Sequence, residues 1–377
     1  MTVHQPLDHR LQSIYDQAWE NISDSVIMDQ SIRDMVDYVC RNLSNRACVR
    51  LLMSCLLGKI ENPSIDPRKP YTEIGTHDSF SGRTLDERYL TAFITKYHLP
   101  CNVTTAFLTP TLRNINRPLM PDVDLVGRPR ELYVKTLQLL DEVASGRMDA
   151  ENLFVETVRV LLIMRDEKMA RMQSLMDSLK RTEDALPLSS EQIVTLISQH
   201  LACKGASRLP VLVVAAAYQV VGERLGEFSR PLLSHNAADL QTKSVGDVEV
   251  YLRGDNAVVT AYEMKMKRVT IEDIDAAVTK IIRGGHSVHN YIFITTDGID
   301  QPVTEYASKF YEEIGGIEIA ILDCIGFLRH FLHFFHRTRE YYLKNYQSLL
   351  LAEPDSAVSS ALKEAFLALR QAAESGD

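Results

Sequence analysis

The segment that decides the fold is Ser244–Thr270, which reads SVGDVEVYLRGDNAVVTAYEMKMKRVT. Apolar and charged residues alternate in its second half, so a β-strand there has one apolar and one charged face. The apolar face carries Tyr262, Met264 and Met266. The charged face carries Glu263, Lys265 and Lys267. The first half of the segment predicts another strand, which carries Asp247. We therefore predict two neighbouring strands with charged side chains on one face.

Around this segment, helical and strand patterns alternate from residue 187 onward. The helical stretches EQIVTLISQHLACK and RLPVLVVAAAYQVVGERLG precede it, and TIEDIDAAVTKIIRGG, capped by Thr270 and ended by Gly284 and Gly285, follows it. Next come a strand (NYIFITT), a helix (VTEYASKFYEEIGG), a strand (IEIAILD) and a long aromatic helix from about Cys324 to Leu351. This order favours an α/β fold, a mixed central sheet flanked by helices on both faces. The charged face of the strand would then be partly enclosed, where unpaired charges are costly.

The first half of the chain has a different pattern. Apolar residues recur at three- and four-residue spacing in RACVRLLMSCLLGKI, ELYVKTLQLLDEVASG and AENLFVETVRVLLIMRDEKMARMQSLMDSLKR. Two stretches rich in Pro, Gly, Asn and Thr interrupt these helices, and loops of that length are often functional. The stretch TEDALPLSS supplies a boundary. We predict a mainly helical region over residues 1–186 and a sheet-containing core with C-terminal helices over residues 187–377.

Composition limits the class of protein. The chain has 377 residues, of which 45% are hydrophobic and 24% charged, as is ordinary for a folded protein. It contains no uncharged apolar run of 18 residues and no signal-peptide pattern, so we expect a cytoplasmic protein without a membrane partner. The six cysteines form no C-x-x-C pair and are read as reduced core thiols. The net charge of −9 argues against an unspecific nucleic-acid coat.

One window lacks acidic residues and carries polar and basic ones. No Asp or Glu occurs between Glu87 and Asp122. Arg and Asn side chains can read guanine and adenine edges, whereas Thr and Lys suit phosphates. The candidate nucleic-acid contacts in and beside this window are Arg83, Arg88, Asn102, Thr104, Thr105, Arg113 and Asn114. The alternative is an ordinary polar loop, with Arg83 and Arg88 paired to Asp86 and Glu87.

Asp247 on one strand and Glu263-x-Lys265 on the next, between helices, resemble the PD-(D/E)XK nuclease superfamily. The resemblance implies that Asp247, Glu263 and Lys265 are catalytic. Two carboxylates from adjacent strands can hold one or two Mg²⁺ ions, and the ammonium on the same face can orient water or stabilise the charged phosphorane. This chain has Gly246 where the superfamily often has Pro.

Two further acids are candidates for the same site. Glu249 shares the face of Asp247 by strand alternation and could either support the metal ligands through hydrogen bonds or be an alternative metal ligand. Glu223 lies near the end of the preceding helix, where many of these nucleases carry another acid, although a solvated charge at a helix end explains it as well. For the whole group, the alternative is a partly buried ion-pair cluster with only a structural role.

A second resemblance spans more of the chain. The segments SFSGRTLDERYL, HLPCNVTTAFLTPTLRN and SHNAADLQTKSVGDVEV are similar to type II restriction endonucleases of the SacI family. This implies a Mg²⁺-dependent homodimer that cuts both strands of DNA at a short palindrome, and a cognate methyltransferase as its functional counterpart. It also implies that residues 1–186 contribute to DNA recognition and that residues 187–377 are catalytic.

Two other functions stay open. The first is a repair or processing nuclease of the same superfamily, against which the lack of helicase motifs counts. The second is a non-catalytic DNA-binding protein on the same fold. The intact set of Asp247, Glu263 and Lys265 counts against this second alternative. A protein that has lost catalytic activity is expected to have lost at least one of these three residues.

Overall fold

The structure is a computed structural model that describes residues 7–102, 104–113, 115–180, 187–232, 244–255, 257–284 and 288–375. The chain divides into two compact units, Met1–Ala170 and Arg171–Asp377. The boundary between them falls inside the longest helix. No helix in the described part of the chain is both long and apolar enough to cross a membrane.

The first unit is helical, as predicted. Its helices are α1 (Leu7–Glu20), α2 (Gln30–Arg41), α3 (Ala47–Glu61), α4 (Gly82–Leu85), α5 (Thr91–Lys96), α6 (Arg130–Ala144) and the part of α7 (Ala150–Lys180) that precedes the boundary. A π-helical turn, Asp86–Leu90, joins α4 to α5. Helix α3 forms the centre of the apolar core, because thirteen of its residues are buried.

The second unit contains the sheet. Its helices after α7 are α8 (Ser190–Leu201), α9 (Leu209–Leu225), α10 (Ile271–Gly284), α11 (Gln301–Glu313), α12 (Cys324–Phe334), α13 (Arg339–Ala352) and α14 (Ser360–Ser375). Its strands are β1 (Glu227–Ser229), β2 (Val248–Leu252), β3 (Val258–Lys265), β4 (Asn290–Thr295) and β5 (Glu318–Asp323). The predicted cap at Thr270 is present, since the Asp273 amide donates to its hydroxyl oxygen.

The five strands lie in sequence order across the sheet. The pairs β1–β2 and β2–β3 are antiparallel, whereas β3–β4 and β4–β5 are parallel. The predicted mixed sheet in an α/β fold is thus confirmed.

Helices cover both faces of this sheet. On one face, Val248, Val250, Tyr262 and Ile294 pack in an apolar cluster with α8, α9 and α12. On the other face, Ala261, Tyr291, Phe293, Ile319 and Ile321 pack with α10 and α11. Ala261 belongs to this second cluster, so Glu263 and Lys265, two and four residues further along β3, point to the same face. The charged side of β3 therefore lies under α10.

Two features of the second unit differ from the prediction. The single helix predicted from about Cys324 to Leu351 is wrong: the backbone leaves the helical region at Phe335 (φ −108°, ψ 43°), and a 3₁₀ turn, His336–Thr338, separates α12 from α13. The Thr338 hydroxyl donates to the Phe335 carbonyl oxygen at 2.8 Å, which supplies a local partner at this break. Strand β1 was not predicted, because three residues are too few for a recognisable alternation.

Candidate active site

Asp247 and Glu263 face each other across two antiparallel strands. The register pairs Val248 with Tyr262, so one further step along both strands sets Asp247 opposite Glu263. Directly opposed residues point to the same side of a sheet. The Met264 backbone N–H donates to Oδ2 of Asp247 at 2.8 Å, which fixes this exposed carboxylate at the strand end. Within the described residues, Oδ1 accepts no hydrogen bond.

Gly246 allows the chain to enter β2 at this point. A Cβ at position 246 would lie 2.6 Å from the Tyr262 carbonyl oxygen, closer than side-chain carbons approach backbone. Proline, which the PD-(D/E)XK resemblance suggests here, would therefore not fit without a backbone shift. The departure from the superfamily pattern has a local steric cause.

Glu263 and Lys265 leave β3 on the same side and contact each other. The Lys265 Nζ lies 3.6 Å from Oε1 of Glu263, and the two side chains are 22% and 24% exposed. The buried Tyr291 of β4 donates its hydroxyl to Oε2 of Glu263 at 3.3 Å. Glu263 is thus held from two sides while part of it stays open to solvent.

Asp273, in the first turn of α10, completes this group. Its Oδ1 lies 3.0 Å from the Lys265 Nζ. Burial acts to lower the pKa of Lys265, but the hydrogen bond to Asp273 and the charges of Glu263 and Asp273 outweigh it, so the pKa is raised. Lys265 is consequently a permanent cation at neutral pH, suited to stabilising negative charge rather than to accepting a proton.

The group has the charge and ligand types that a Mg²⁺ ion requires. Asp247, Glu263 and Asp273 with one ammonium leave a surplus of two negative charges when all four groups are ionised. In the part of the chain that is described, no three His, Cys, Asp or Glu side chains converge on a common point. In proteins Mg²⁺ is usually held by one or two carboxylates and completes its shell with water and substrate phosphate. Asp247 and Glu263 are the two carboxylates that could hold it.

Glu249 does not join this group, although it lies on the same face. Its carboxylate accepts hydrogen bonds from the Val245 N–H at 2.6 Å, the Ser244 hydroxyl at 3.1 Å and the Arg230 guanidinium at 2.8 Å. A carboxylate with three donors would have to exchange them for a metal ion. Its contacts fix the chain on either side of residues 233–243, so its role in this structure is structural.

Glu223 is also separated from Asp247. Its side chain is 79% exposed and forms an ion pair with Arg253. Arg253 follows the last residue of β2, whereas Asp247 precedes the first, and five strand residues span about 17 Å. Its interpretation as a metal ligand is therefore corrected: it is a solvated charge at a helix end.

Thr105, one of the predicted DNA contacts, is a core residue. It is buried, and its hydroxyl donates to Oδ2 of Asp86. Asp86 also accepts a 2.7 Å hydrogen bond from the buried Arg50. The Arg50 guanidinium in turn donates to the Asn102 carbonyl oxygen at 2.6 Å. The sequence suggested a DNA contact because Thr105 is polar. In the structure this polar side chain belongs to a buried hydrogen-bond network.

The other predicted contacts in the first unit have mixed positions. Arg83, Arg88, Thr104 and Arg113 are exposed, and Asn102 is half-buried. Arg83 forms an ion pair with Glu87 at 2.8 Å, the pairing expected under the polar-loop alternative. Arg88 lies over the Tyr89 ring, 5.3 Å from its centroid. Asn114 lies outside the described residues.

Sequence reasoning missed Asp273 and Tyr291. A signal for Asp273 was present, because a Thr followed three residues later by an acid is the pattern of a helix capping box. The pattern locates Asp273 beside Thr270 but does not show that its other oxygen reaches Lys265. Tyr291 carries no sequence signal, since an aromatic residue in a buried strand is ordinary.

Comparison with known protein families bears on this site. Residues 187–298 match the family described as SacI restriction endonuclease C-terminal domain. This segment of the chain is similar to the C-terminal domain of SacI-type restriction endonucleases. The predicted resemblance to the SacI family is confirmed, and the match supports a restriction endonuclease, a nuclease that acts on DNA. The matched SacI domain segment includes Asp247, Glu263, Lys265 and Asp273. A search of curated proteins finds no match to the chain.

Proposed function

We propose that this protein is a type II restriction endonuclease that uses Mg²⁺ to hydrolyse one phosphodiester bond in each strand of double-stranded DNA at a short palindrome. The observation that supports the proposal most is the meeting of Asp247, Glu263 and Lys265 on one face of the sheet, within the segment that matches the SacI domain. Such an enzyme would act in the cytoplasm beside a methyltransferase that protects the host's own sites.

In this proposal, each side chain has a separate task. Asp247 and Glu263 hold one or two Mg²⁺ ions, and the Met264 N–H and the Tyr291 hydroxyl orient these carboxylates. When bound between these carboxylates, Mg²⁺ would supply Lewis-acid chemistry at the phosphate. Lys265 contributes a fixed positive charge next to the phosphate, where negative charge develops.

The first unit supplies recognition in the same proposal. Arg88, Thr104 and Arg113 expose polar or basic groups that can contact bases and phosphates, whereas Arg83 must first leave Glu87. Thr105 takes no part. A palindrome presents two equivalent scissile phosphates, so a two-fold symmetric homodimer is the assembly that matches it.

The decisive experiment is incubation of the purified protein with long DNA of known sequence, with Mg²⁺ or with a chelator. Discrete fragments that require Mg²⁺ are expected. A smear would favour a repair or processing nuclease, and intact DNA with several divalent metals would favour a non-catalytic DNA-binding protein.

Matched variants connect the activity to the site. Asp247→Ala and Glu263→Ala should abolish cleavage and weaken Mg²⁺ binding, and Lys265→Ala should abolish cleavage but retain DNA binding. Glu223→Ala is the control, because it removes an exposed acid at the other end of β2. Light scattering with and without a DNA duplex tests the homodimer, and a monomer under both conditions would contradict it.

A further inference from the structure

Asp273 connects the first turn of α10 to the end of β3. Its Oδ1 contacts the Lys265 Nζ at 3.0 Å, and its Oδ2 accepts hydrogen bonds from the Thr270 N–H at 3.1 Å and the Thr270 hydroxyl at 3.2 Å. The Asp273 N–H donates back to the Thr270 hydroxyl oxygen at 3.3 Å. The same carboxylate therefore caps a helix and contacts the active-site ammonium.

The contact with Asp273 restricts the position of the Lys265 ammonium more than the contact with Glu263 does. A lysine side chain has four rotatable carbon bonds and loses considerable rotamer entropy when its end is fixed. The contact with Glu263 is 3.6 Å long, beyond normal hydrogen-bond length, whereas the contact with Asp273 is a hydrogen bond at 3.0 Å. The position of the Lys265 ammonium therefore depends on the Asp273 carboxylate, whose Oδ2 still accepts the Thr270 backbone N–H when the Thr270 hydroxyl is absent.

We propose that Asp273 is a positioning residue that holds the Lys265 ammonium at the scissile phosphate through the direct contact of its Oδ1, while its Oδ2 serves the cap of α10. The inference rests on the proposed function, in which Lys265 stabilises charge during DNA hydrolysis.

The electrostatics agree with this role. Burial alone would raise the pKa of Asp273, but hydrogen bonds from Lys265 and from Thr270 lower it below its ordinary value. Asp273 is therefore charged throughout the neutral range. It also carries its negative charge in the first turn of a helix, where the helix dipole stabilises an anion.

The test compares Asp273→Ala with Thr270→Ala. Both substitutions remove hydrogen bonds of the α10 cap, but only Asp273→Ala removes the contact with Lys265. We expect Asp273→Ala to lower kcat for Mg²⁺-dependent DNA cleavage by about 10- to 100-fold, the size typical of a misplaced catalytic group. KM and metal-free DNA binding should stay within about two-fold of wild type by the same argument. Thr270→Ala should retain kcat although its thermal stability falls to a similar extent.

The outcomes separate this inference from the proposed function. If Lys265→Ala still cleaves DNA, the proposed function fails. If Lys265→Ala is inactive and Asp273→Ala has the wild-type kcat, only the positioning role fails. An equal loss of kcat in Thr270→Ala would show that the helix cap matters and the contact does not. Asp273→Asn, which conserves volume, replaces the alanine variant if that variant folds poorly.

Discussion

Two ionic clusters in this protein use the same chemistry in different surroundings. In the first unit, Arg50 and Asp86 are 1% and 0% exposed, and their charges balance. Their remaining hydrogen-bonding groups contact Thr91, Thr105 and the Asn102 carbonyl oxygen. In the second unit, Lys265 and Asp273 are 22% and 17% exposed, and carboxylates outnumber the cation. One cluster is closed and neutral, whereas the other is open and negatively charged.

The comparison shows how a buried structural ion pair differs from the candidate active site. A buried pair is retained only if its charges cancel and its hydrogen bonds are complete. A cluster with surplus negative charge at the end of two strands can accept a cation and a phosphate. Residue type alone does not separate them, because both contain one basic side chain and at least one acid.

The largest expected effect is the loss of stability when the closed cluster is broken. Arg50→Ala leaves Asp86 buried without its cation, which should lower the free energy of unfolding by about 3–5 kcal/mol. Lys265→Ala should lower it by less than about 1 kcal/mol, because its neighbours remain partly solvated. Urea unfolding of both variants measures the difference. Equal losses would remove the distinction between the clusters.

His200 extends the comparison to a buried group of the second unit. Its Nε2–H donates to the Leu362 carbonyl oxygen at 2.9 Å, so Nδ1 is the acceptor for the Tyr346 hydroxyl at 3.0 Å. Burial lowers its pKa from 6.5 to about 4. Between these pH values the unfolded chain protonates His200, whereas the native state keeps it neutral. The contribution of neutral His200 to the free energy of unfolding is therefore complete above pH 6.5 and is lost as the pH falls towards 4.

This loss should amount to about 3 kcal/mol between the two pH values. The measurement is the free energy of unfolding across that range in wild type and in His200→Gln, which should lack this component. His333→Gln, at an exposed His paired with Glu191, is the control and should keep it. A pH profile unchanged by His200→Gln would contradict the assignment of His200 as a closed, structural group.

Variants of exposed residues in the first unit test whether the surface of this unit binds DNA. Arg113→Ala should weaken DNA binding by about 1–3 kcal/mol and leave folding intact, because it removes a base or phosphate contact. Fluorescence anisotropy with a cleavable duplex in the absence of Mg²⁺ measures this affinity. If Arg113→Ala binds DNA with wild-type affinity, the segment between Glu87 and Asp122 is an ordinary polar loop.

The smallest expected effect concerns the exposed ion pair of Arg83 and Glu87. A double-mutant cycle should give a coupling of about 0.3–0.5 kcal/mol for stability, as for other exposed pairs one helical turn apart. Glu87→Ala should strengthen DNA binding if Arg83 is released to contact phosphate. No change in affinity would assign Arg83 to the pair alone.

Patterns with a regular period were predictable from the sequence. The alternation in β3 located Glu263 and Lys265 on one face, and strand–helix order indicated a mixed sheet with helices on both sides. Helices of the first unit followed from apolar spacing. The break between α12 and α13 was not predictable in this way, since the aromatic pattern continues across Phe335.

The sequence by itself determined which residue types share a face, because side-chain direction along a strand or helix follows from local geometry. That was sufficient to group Glu263 and Lys265, whereas Asp247 was joined to them by the resemblance to the PD-(D/E)XK superfamily. Only the tertiary structure decided their partners: Asp273 reaches Lys265, three donors occupy Glu249, and Thr105 turns into the core. These outcomes depend on which segments pack together and on how much water remains around each charge. The local alternation of side chains along one strand or helix determines neither of them.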